Sequence, residues 1–282
     1  QGTTSGVNVT PQGGAPGASA NIRIRGVATN GDNRPLIILD GFQYDGDLNS
    51  LNPSDIENMT VLKDAQAAIY GAIAANGVIL VTTKAGRRNQ KAKISYDGYT
   101  GIQETTRTLP MLNAQEYVLL LNESYANAGQ NLPFPNASGY GVGTNWQDEV
   151  FQKAPVSSHN LRIDGGAENI NYSISGSHLF QEGIVGGDKA SQRRNTASIA
   201  LNADLSEKLN ISTKLYYTYR KSRGINSFSL GSVLFNAANI APIIDPSVDN
   251  LDGEINLGNE VVNPLTQIRN TFNSTRLNRL SG

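Results

Sequence analysis

The chain of 282 residues contains no cysteine, which excludes a disulfide framework, a thiolate nucleophile and a cysteine-ligated zinc site. It has only two histidines, so we expect no metal site and no cofactor. Charged residues make up 17% of the chain and nearly cancel, to a net charge of −1. Because a nucleic-acid-binding protein would show a basic excess, we expect no nucleic-acid partner.

Long apolar runs are also missing. No stretch of eighteen or more apolar residues occurs, so the sequence predicts no membrane-spanning helix. A strand of a transmembrane barrel needs only about ten residues of alternating polarity. The 29 glycines, together with many Asn and Ser residues, favour a chain of many strands joined by turns.

Six short motifs follow one another between residues 21 and 84. They are Ile22-Arg-Ile-Arg-Gly26, Pro35-Leu-Ile-Ile-Leu-Asp-Gly41, Leu51-Asn-Pro-Ser-Asp-Ile-Glu57, Val61-Leu-Lys-Asp-Ala65, Ile69-Tyr-Gly71 and Ala75-Asn-Gly-Val-Ile-Leu-Val-Thr-Thr-Lys84. In this order they resemble the plug domain of TonB-dependent outer-membrane transporters of the SusC/RagA branch. The resemblance continues in Asn145-Trp-Gln-Asp-Glu-Val-Phe151, Ser158-His-Asn-Leu161, Gln181-Glu-Gly-Ile-Val185 and Asn263-Pro-Leu265.

The resemblance implies an α+β plug domain inside an antiparallel transmembrane β-barrel of about 22 strands in the bacterial outer membrane. It further implies import of oligosaccharides, or of peptides, energised by the TonB–ExbB–ExbD complex and assisted by a SusD-like surface lipoprotein. Outer-membrane lipid would surround the barrel. We expect this chain to be an internal fragment with most of the plug and the first five or six barrel strands.

Within the plug, which we expect to span 1–86, residue types predict short elements. Ile22 to Gly26 alternates apolar and charged residues, as a strand does. The unbroken apolar run 36–39 predicts a strand covered on both faces, and 78–83 is predicted to be another apolar strand. Asn52 followed by Pro53 predicts the start of a helix over 54–58. A second helix is expected over 65–70, ended by Gly71.

After a basic connector over 87–93 the pattern changes to a period of two, which predicts barrel strands over 94–282. The predicted strands lie near 94–102, 160–164, 172–180, 196–205 and 209–220, with the start of another at 275. Short and long connections alternate, and the long ones, 104–156 and 222–274, are expected outside the cell. In the first of these, Asn113-Ala-Gln-Glu116 predicts a capping box at the start of a helix.

Two sets of residues are candidates for function. Plug loops expected to point outward, and one loop of the barrel, supply the proposed substrate-binding residues Thr29, Asn30, Asp32, Asn33, Phe42, Tyr44, Asp45 and Trp146. Trp146 has two open interpretations, because its ring could stack on ligand or pack inside the loop. A second set, Arg23, Arg25 and Asp40, is expected to form an ion-pair lock between plug and barrel, since charges enclosed by a barrel need partners.

Catalysis is not expected, because the chain lacks a nucleophile elbow, an H-E-x-x-H motif and a P-loop. Asp148 and Glu149 are adjacent, and neighbouring residues of a strand point to opposite faces, so the pair could not flank one glycosidic bond. The alternative to transport is a non-transporting surface receptor or adhesin module that binds glycans.

Overall fold

A computed structural model of the chain describes residues 6–11, 13–26, 31–226, 229–249 and 261–282. The plug begins with a two-stranded antiparallel sheet of β1 (Val7–Pro11) and β2 (Ala20–Ile24). A four-stranded sheet follows, with β3 (Leu36–Leu39), β4 (Phe42–Gln43), β5 (Ile56–Leu62) and β6 (Val78–Thr83) in the order β4-β3-β6-β5. The predictions of strands over 36–39 and 78–83 are confirmed.

The plug strands β3 and β6 run parallel, and their paired segments, 36–39 and 78–81, are apolar throughout because both faces of the sheet are covered. On one face Ile38 and Val78 pack with alanines of the short helical turns. On the other face Leu39 and Ile79 belong to a second cluster, which includes Tyr216 from outside the plug. The plug therefore joins the rest of the molecule through its apolar core as well as through polar contacts.

The two predicted plug helices are wrong in type. Asn52 does cap a helical segment, since its side chain accepts a hydrogen bond from the Ser54 amide, but that segment is a single 3-10 turn, Pro53–Asp55. Ile56 already begins β5, whose β-branched residues pair with β6. The second predicted helix is a series of 3-10 turns, Asp64–Gln66, Ala68–Tyr70 and Ala72–Ala74. Gly71, at φ 75°, interrupts the series.

A six-stranded antiparallel meander, here called the wall, follows the plug. Its strands are β7 (Gln90–Gln103), β8 (Ala154–Gly166), β9 (Ile170–Gly183), β10 (Gly187–Ser206), β11 (Leu209–Arg223) and β12 (Ser274–Ser281). β7 begins at Gln90, so part of the predicted connector 87–93 is strand. The strands predicted from the period of two are all present, and each is longer than its predicted core.

The two faces of the wall differ in polarity. The face toward the plug buries polar side chains, among them Ser173, Gln192, Thr196 and Thr218, each at most 4% exposed. The opposite or outer face exposes apolar side chains, among them Ile94, Ile174, Ile199, Leu215 and Tyr217. A soluble sheet protein would show the reverse, so this arrangement is typical of a barrel wall whose outer face meets lipid.

Three connections leave one end of the wall, here called the loop end: 104–153, 184–186 and 224–273. They carry α1 (Ala114–Asn127), α2 (Trp146–Val150), α3 (Val233–Asn239) and α4 (Pro264–Arg269). The predicted capping box is confirmed, because Asn113 Oδ1 accepts from the Glu116 amide while Glu116 accepts from the Asn113 amide. No helix in the described ranges is long and apolar enough to cross a membrane.

We expect Gly86→Ala to disrupt the backbone where it passes from the plug to the wall. A Cβ at Gly86 would lie 2.0 Å from the Tyr172 carbonyl oxygen and 2.7 Å from that of Gly165, both backbone atoms of the wall. The protein carrying the change should show a reduced fraction of folded, heat-modifiable β-sheet structure on a gel. Gly14→Ala is the matched control, since nothing lies within 4 Å of its Cβ position. Equal folded fractions in the two variants would contradict this account.

Candidate functional site

The contact between the plug and the wall concentrates charged residues of opposite sign. The wall strands β8, β10 and β11 direct Arg162, Arg194, Lys214 and Arg220 toward the plug, at the same parity as their small polar residues. The plug presents the carboxylates of Asp40, Asp47 and Asp55. In these contacts every cation belongs to the wall and every anion to the plug.

Asp55 and Arg162 form the most enclosed of these pairs. Arg162 Nη2 lies 2.8 Å from Asp55 Oδ1, and the two side chains are 14% (Arg162) and 3% (Asp55) exposed. The same guanidinium donates to the Ser54 carbonyl oxygen at 3.1 Å and to Ser173 Oγ at 3.3 Å. Asn52 Nδ2 donates to the other Asp55 oxygen at 3.2 Å. Both charges are therefore hydrogen-bonded as well as paired, which burial requires.

Asp40 and Lys214 form the second pair, with 2.6 Å between Lys214 Nζ and Asp40 Oδ1. The carboxylate also accepts from the Thr83 amide at 3.0 Å and from Thr83 Oγ1 at 2.6 Å. Hydrogen bonds from the end of β6 thus fix the Asp40 carboxylate in the position from which it contacts the wall. Asp40 stands at φ 52°, in the left-handed region, at the turn between β3 and β4. This turn directs the carboxylate back to β6.

The 3-10 turn Leu48–Ser50 makes the third group of contacts. Its last carbonyl oxygens have no partner inside the turn, and the wall supplies donors: Arg194 Nη1 to Asn49 at 2.5 Å and Thr218 Oγ1 to Ser50 at 3.1 Å. Beside it the Asn52 amide donates to the Tyr216 hydroxyl at 2.5 Å. Arg220 approaches Asp47 at 3.8 Å, a looser and more exposed pair.

The three residues expected in the lock are placed differently. Asp40 pairs with Lys214 across the interface. Arg23 is exposed on β2, and Arg25 lies beyond the end of that strand at φ 59°, so the two do not share a strand face. Among the described residues, the ion pairs that join plug and wall are made by Asp40, Asp47 and Asp55.

Four of the eight expected substrate-binding residues have accessible or half-buried side chains. Asp32 is exposed and accepts hydrogen bonds from the Arg34 side chain and amide, which lower the pKa of its carboxyl to about 2. Asn33 is half-buried and donates to the Gly31 carbonyl, and Asp45 accepts from Gln43 at 2.9 Å. Phe42 is 62% exposed. Thr29 and Asn30 lie outside the described residues.

The other two aromatic candidates are buried. Tyr44 is 4% exposed, lies in the plug core and has the Arg279 guanidinium 5.2 Å from its ring centre; burial raises the pKa of its hydroxyl. Trp146 is 3% exposed in the core formed by the long connections, and its Nε1 donates to the Ala241 carbonyl at 3.1 Å. Neither ring presents a free face to a ligand, so for Trp146 the structure shows the packing interpretation.

The wall residues that hold the plug were not among the candidates taken from the sequence. Arg162, Lys214, Arg220 and Thr218 lie within the predicted strands 160–164 and 209–220, where no candidate site residue was expected. Their parity is the signal that could have found them, because a basic residue on the inward face of a barrel strand needs an anion nearby. Within the described ranges no group of three or more His, Cys, Asp or Glu could hold a metal ion.

Lys214→Met should loosen the plug, because it leaves the Asp40 carboxylate without its cation in a site where that carboxyl is 8% exposed. Since Lys214 is itself partly exposed, we expect a loss of about 1–3 kcal/mol, below that of a fully buried pair. The chain has no cysteine, so Ser50→Cys, at a buried plug position, is a suitable reporter. The rate at which maleimide labels the introduced thiol should rise about tenfold or more.

Two comparisons keep this measurement specific. Lys208→Met removes a charge from the exposed turn between β10 and β11 and should leave the labelling rate unchanged. Asp40→Asn combined with Lys214→Met should restore part of the loss, since no charge is then left unpaired. An unchanged rate for Lys214→Met alone would show that this pair does not hold the plug.

The chain is similar to known TonB-dependent receptors. Residues 1–78 match the family described as TonB-dependent Receptor Plug Domain. TonB-dependent receptor SusC of Bacteroides thetaiotaomicron is 38% identical over 226 residues, covering 76% of this chain and 22% of that protein. TonB-dependent receptor P26 of Formosa agariphila is 36% identical over 296 residues, covering 100% of this chain and 29% of that protein.

Among solved structures, the RagAB peptide importer in its closed-closed state matches 88% of this chain and 31% of that chain, at 26% identity and a TM-score of 0.75. The open-open state of the same importer gives a TM-score of 0.76. The chain spans less than a third of the length of the curated relatives described here. With its plug and its wall of six antiparallel strands, the chain belongs to the SusC/RagA family of TonB-dependent receptors.

Proposed function

We propose that the protein containing this chain imports a polar nutrient actively across the bacterial outer membrane. The TonB–ExbB–ExbD complex supplies the energy, and a SusD-like lipoprotein captures substrate over the loop end. The observation that carries the proposal is the plug seated on the polar face of a wall whose other face is apolar. The structural likeness to the RagAB peptide importer and the sequence likeness to SusC support it.

The contacts between plug and wall fit a plug that is held firmly and can still be moved. They are largely ion pairs and hydrogen bonds, whose partners on both sides are groups that water solvates well. Apolar contact also crosses the interface, because Tyr216 of the wall packs in one buried cluster with residues of the plug. Pulling by TonB would replace polar contacts with hydration one group at a time, and the wall would then line an aqueous path.

We propose that an ion-pair lock between plug and wall is part of this mechanism. Asp40, with Lys214, is the member of the expected set that reaches the wall, and Asp55 with Arg162 adds the more enclosed pair. Arg23 and Arg25 remain in the proposal only as plug cations on or next to β2, on the exposed side. We infer that the lock works through the carboxylates of the plug.

The substrate class is an oligosaccharide or a peptide. Accessible or half-buried plug residues suit both, because Asp32, Asn33 and Asp45 offer acceptors and donors to hydroxyl or amide groups, and Phe42 offers a ring face. Thr29 and Asn30 stay in the proposed contact set. Tyr44 and Trp146 would act by supporting loops, Tyr44 beneath the segment 42–47 and Trp146 inside the core of the long connections.

A chemical cross-link between plug and wall tests the proposal directly. Asp55→Cys and Arg162→Cys in the full-length receptor, joined by a short thiol-reactive cross-linker, should abolish growth of the parent strain on its oligosaccharide or peptide nutrient. Surface binding of that nutrient should persist, since the plug stays in its resting position. The same double variant without cross-linker should still import.

A matched control joins the wall to itself. Ser175 and Ser198 face each other across β9 and β10, with 2.7 Å between their Oγ atoms, so a cross-link between cysteines at these positions leaves the plug free and should permit import. Undiminished import by the plug-to-wall cross-linked receptor would overturn the proposed path. A receptor that binds nutrient while deletion of its gene changes neither uptake nor growth would be the non-transporting glycan-binding adhesin.

A further inference from the structure

The outer face of the wall is ordered in rows that the strand register defines. Residues directly opposite each other on neighbouring strands form one row across the wall. One row, far from the loop end, is apolar throughout and consists of Ile94, Ile163, Ile174, Ile199 and Leu215. Two positions closer to the loop end, the row still contains Tyr96, Leu161, Ala197, Tyr217 and Leu280.

The character of the rows changes toward the loop end. The next row is polar and consists of Gly98, His159, His178, Asn195, Tyr219 and Asn278. The row after it places three cations on three adjacent strands: Arg193 lies opposite Lys221, and Lys221 lies opposite Arg276. We call Arg193, Lys221 and Arg276 the basic row.

Like charges directly opposite each other in a sheet destabilise it unless an anion compensates them. Within the described part of the chain, none of the three cations forms an ion pair. Arg223, one row further on, approaches Asp188 at 3.6 Å instead. Glu182 is diagonal to Arg193 without an ion pair between them, and the Arg193 guanidinium lies 5.1 Å from the centre of the Phe180 ring.

We propose that the basic row binds the phosphate groups of a phosphorylated lipid in the leaflet at the loop end, with the acyl chains of that lipid along the apolar rows. This inference rests on the proposed placement in the outer membrane. Neighbouring strands lie about 4.8 Å apart, so three adjacent strands spread the cations over about 10 Å, the size of one phosphorylated head group. The order of the rows, apolar, then polar, then basic, matches the order of acyl chain, interface and phosphate.

The chemistry of the three side chains favours a phosphate over other anions of lipids. Guanidinium groups donate two parallel hydrogen bonds to phosphate oxygens, and Arg193 and Arg276 flank the lysine on both sides. Arg193 and Arg276 are exposed and Lys221 is half-buried, so a head group can reach all three. Phe180, against Arg193, limits the positions of that guanidinium and keeps it at the outer surface.

The full-length receptor, reconstituted in nanodiscs, provides the test. Discs contain either lipid A with its phosphates or the same lipid A after enzymatic dephosphorylation, and native mass spectrometry counts the lipid molecules retained on the receptor. We expect the unaltered receptor to retain phosphorylated lipid A in preference. The triple variant Arg193→Gln, Lys221→Gln, Arg276→Gln should retain at least about tenfold less phosphorylated lipid A, because each cation near an anionic surface contributes to binding.

The control triple variant, Arg107→Gln, Lys153→Gln, Lys208→Gln, removes the same number of positive charges from exposed connections and should retain lipid normally. Equal retention by both triple variants, or no preference for the phosphorylated form, would overturn the inference. Displacement of the lipid by millimolar inorganic phosphate would also overturn it, by showing a site for the free anion. A receptor that enters discs normally but fails these comparisons leaves the transport proposal intact, whereas failure to enter discs at all contradicts the membrane placement itself.

Discussion

Charges enclosed between plug and wall need ionic or hydrogen-bonding partners, and much of the arrangement of this chain follows from that requirement. Arg162 and Lys214 stand on strand positions that face away from lipid, where water reaches them poorly while the plug is seated. An unpaired ion there would cost several kcal/mol. The plug supplies the carboxylates that pair with these cations, and local turns position them. The Asn52 cap and the Pro53–Asp55 turn position Asp55, and the left-handed turn at Asp40 positions its own carboxylate. Short, irregular plug elements are thus what brings anions to a regular wall.

The wall has a different surrounding on each face, which accounts for its unusual distribution of side chains. Toward the plug it carries small hydroxyl residues whose groups bond to one another, as Ser177 Oγ and Thr196 Oγ1 do at 2.6 Å. Toward the outside it carries Ile and Leu, and then aromatic, polar and basic residues near the loop end. The loop end is closed by a small core of its own, in which the long connections bury Trp146 and Val233. Lipid, plug and loops therefore each meet a surface of matching polarity.

Periodicity in the sequence predicted the regular parts of this fold and failed where a single turn decides the structure. Alternation located the strands from β7 to β12, because a strand buried on one side must alternate. Alternation cannot distinguish a 3-10 turn from a short helix, because an Asn-Pro pair such as Asn52 and Pro53 can start either one. Here the helical segment stops after three residues because Ile56 pairs with β6. Partner choice was also beyond the sequence. Asp40 was recognised as a charge in need of a cation, but Lys214 lies 174 residues away and only the seated plug brings the two together.

The ion pairs of the interface specify a position more than they add stability. A buried pair returns little free energy relative to apolar contact of the same size, since desolvation offsets most of the attraction. The pairs disfavour any other position of the plug against the wall. Asp40, Asp47 and Asp55 come from three separate turns and meet cations on β8 and β11, so a plug shifted along the wall would leave charges on both surfaces unpaired together. In the proposed transport cycle the plug leaves and returns, and this kind of specificity would let it find the same position every time.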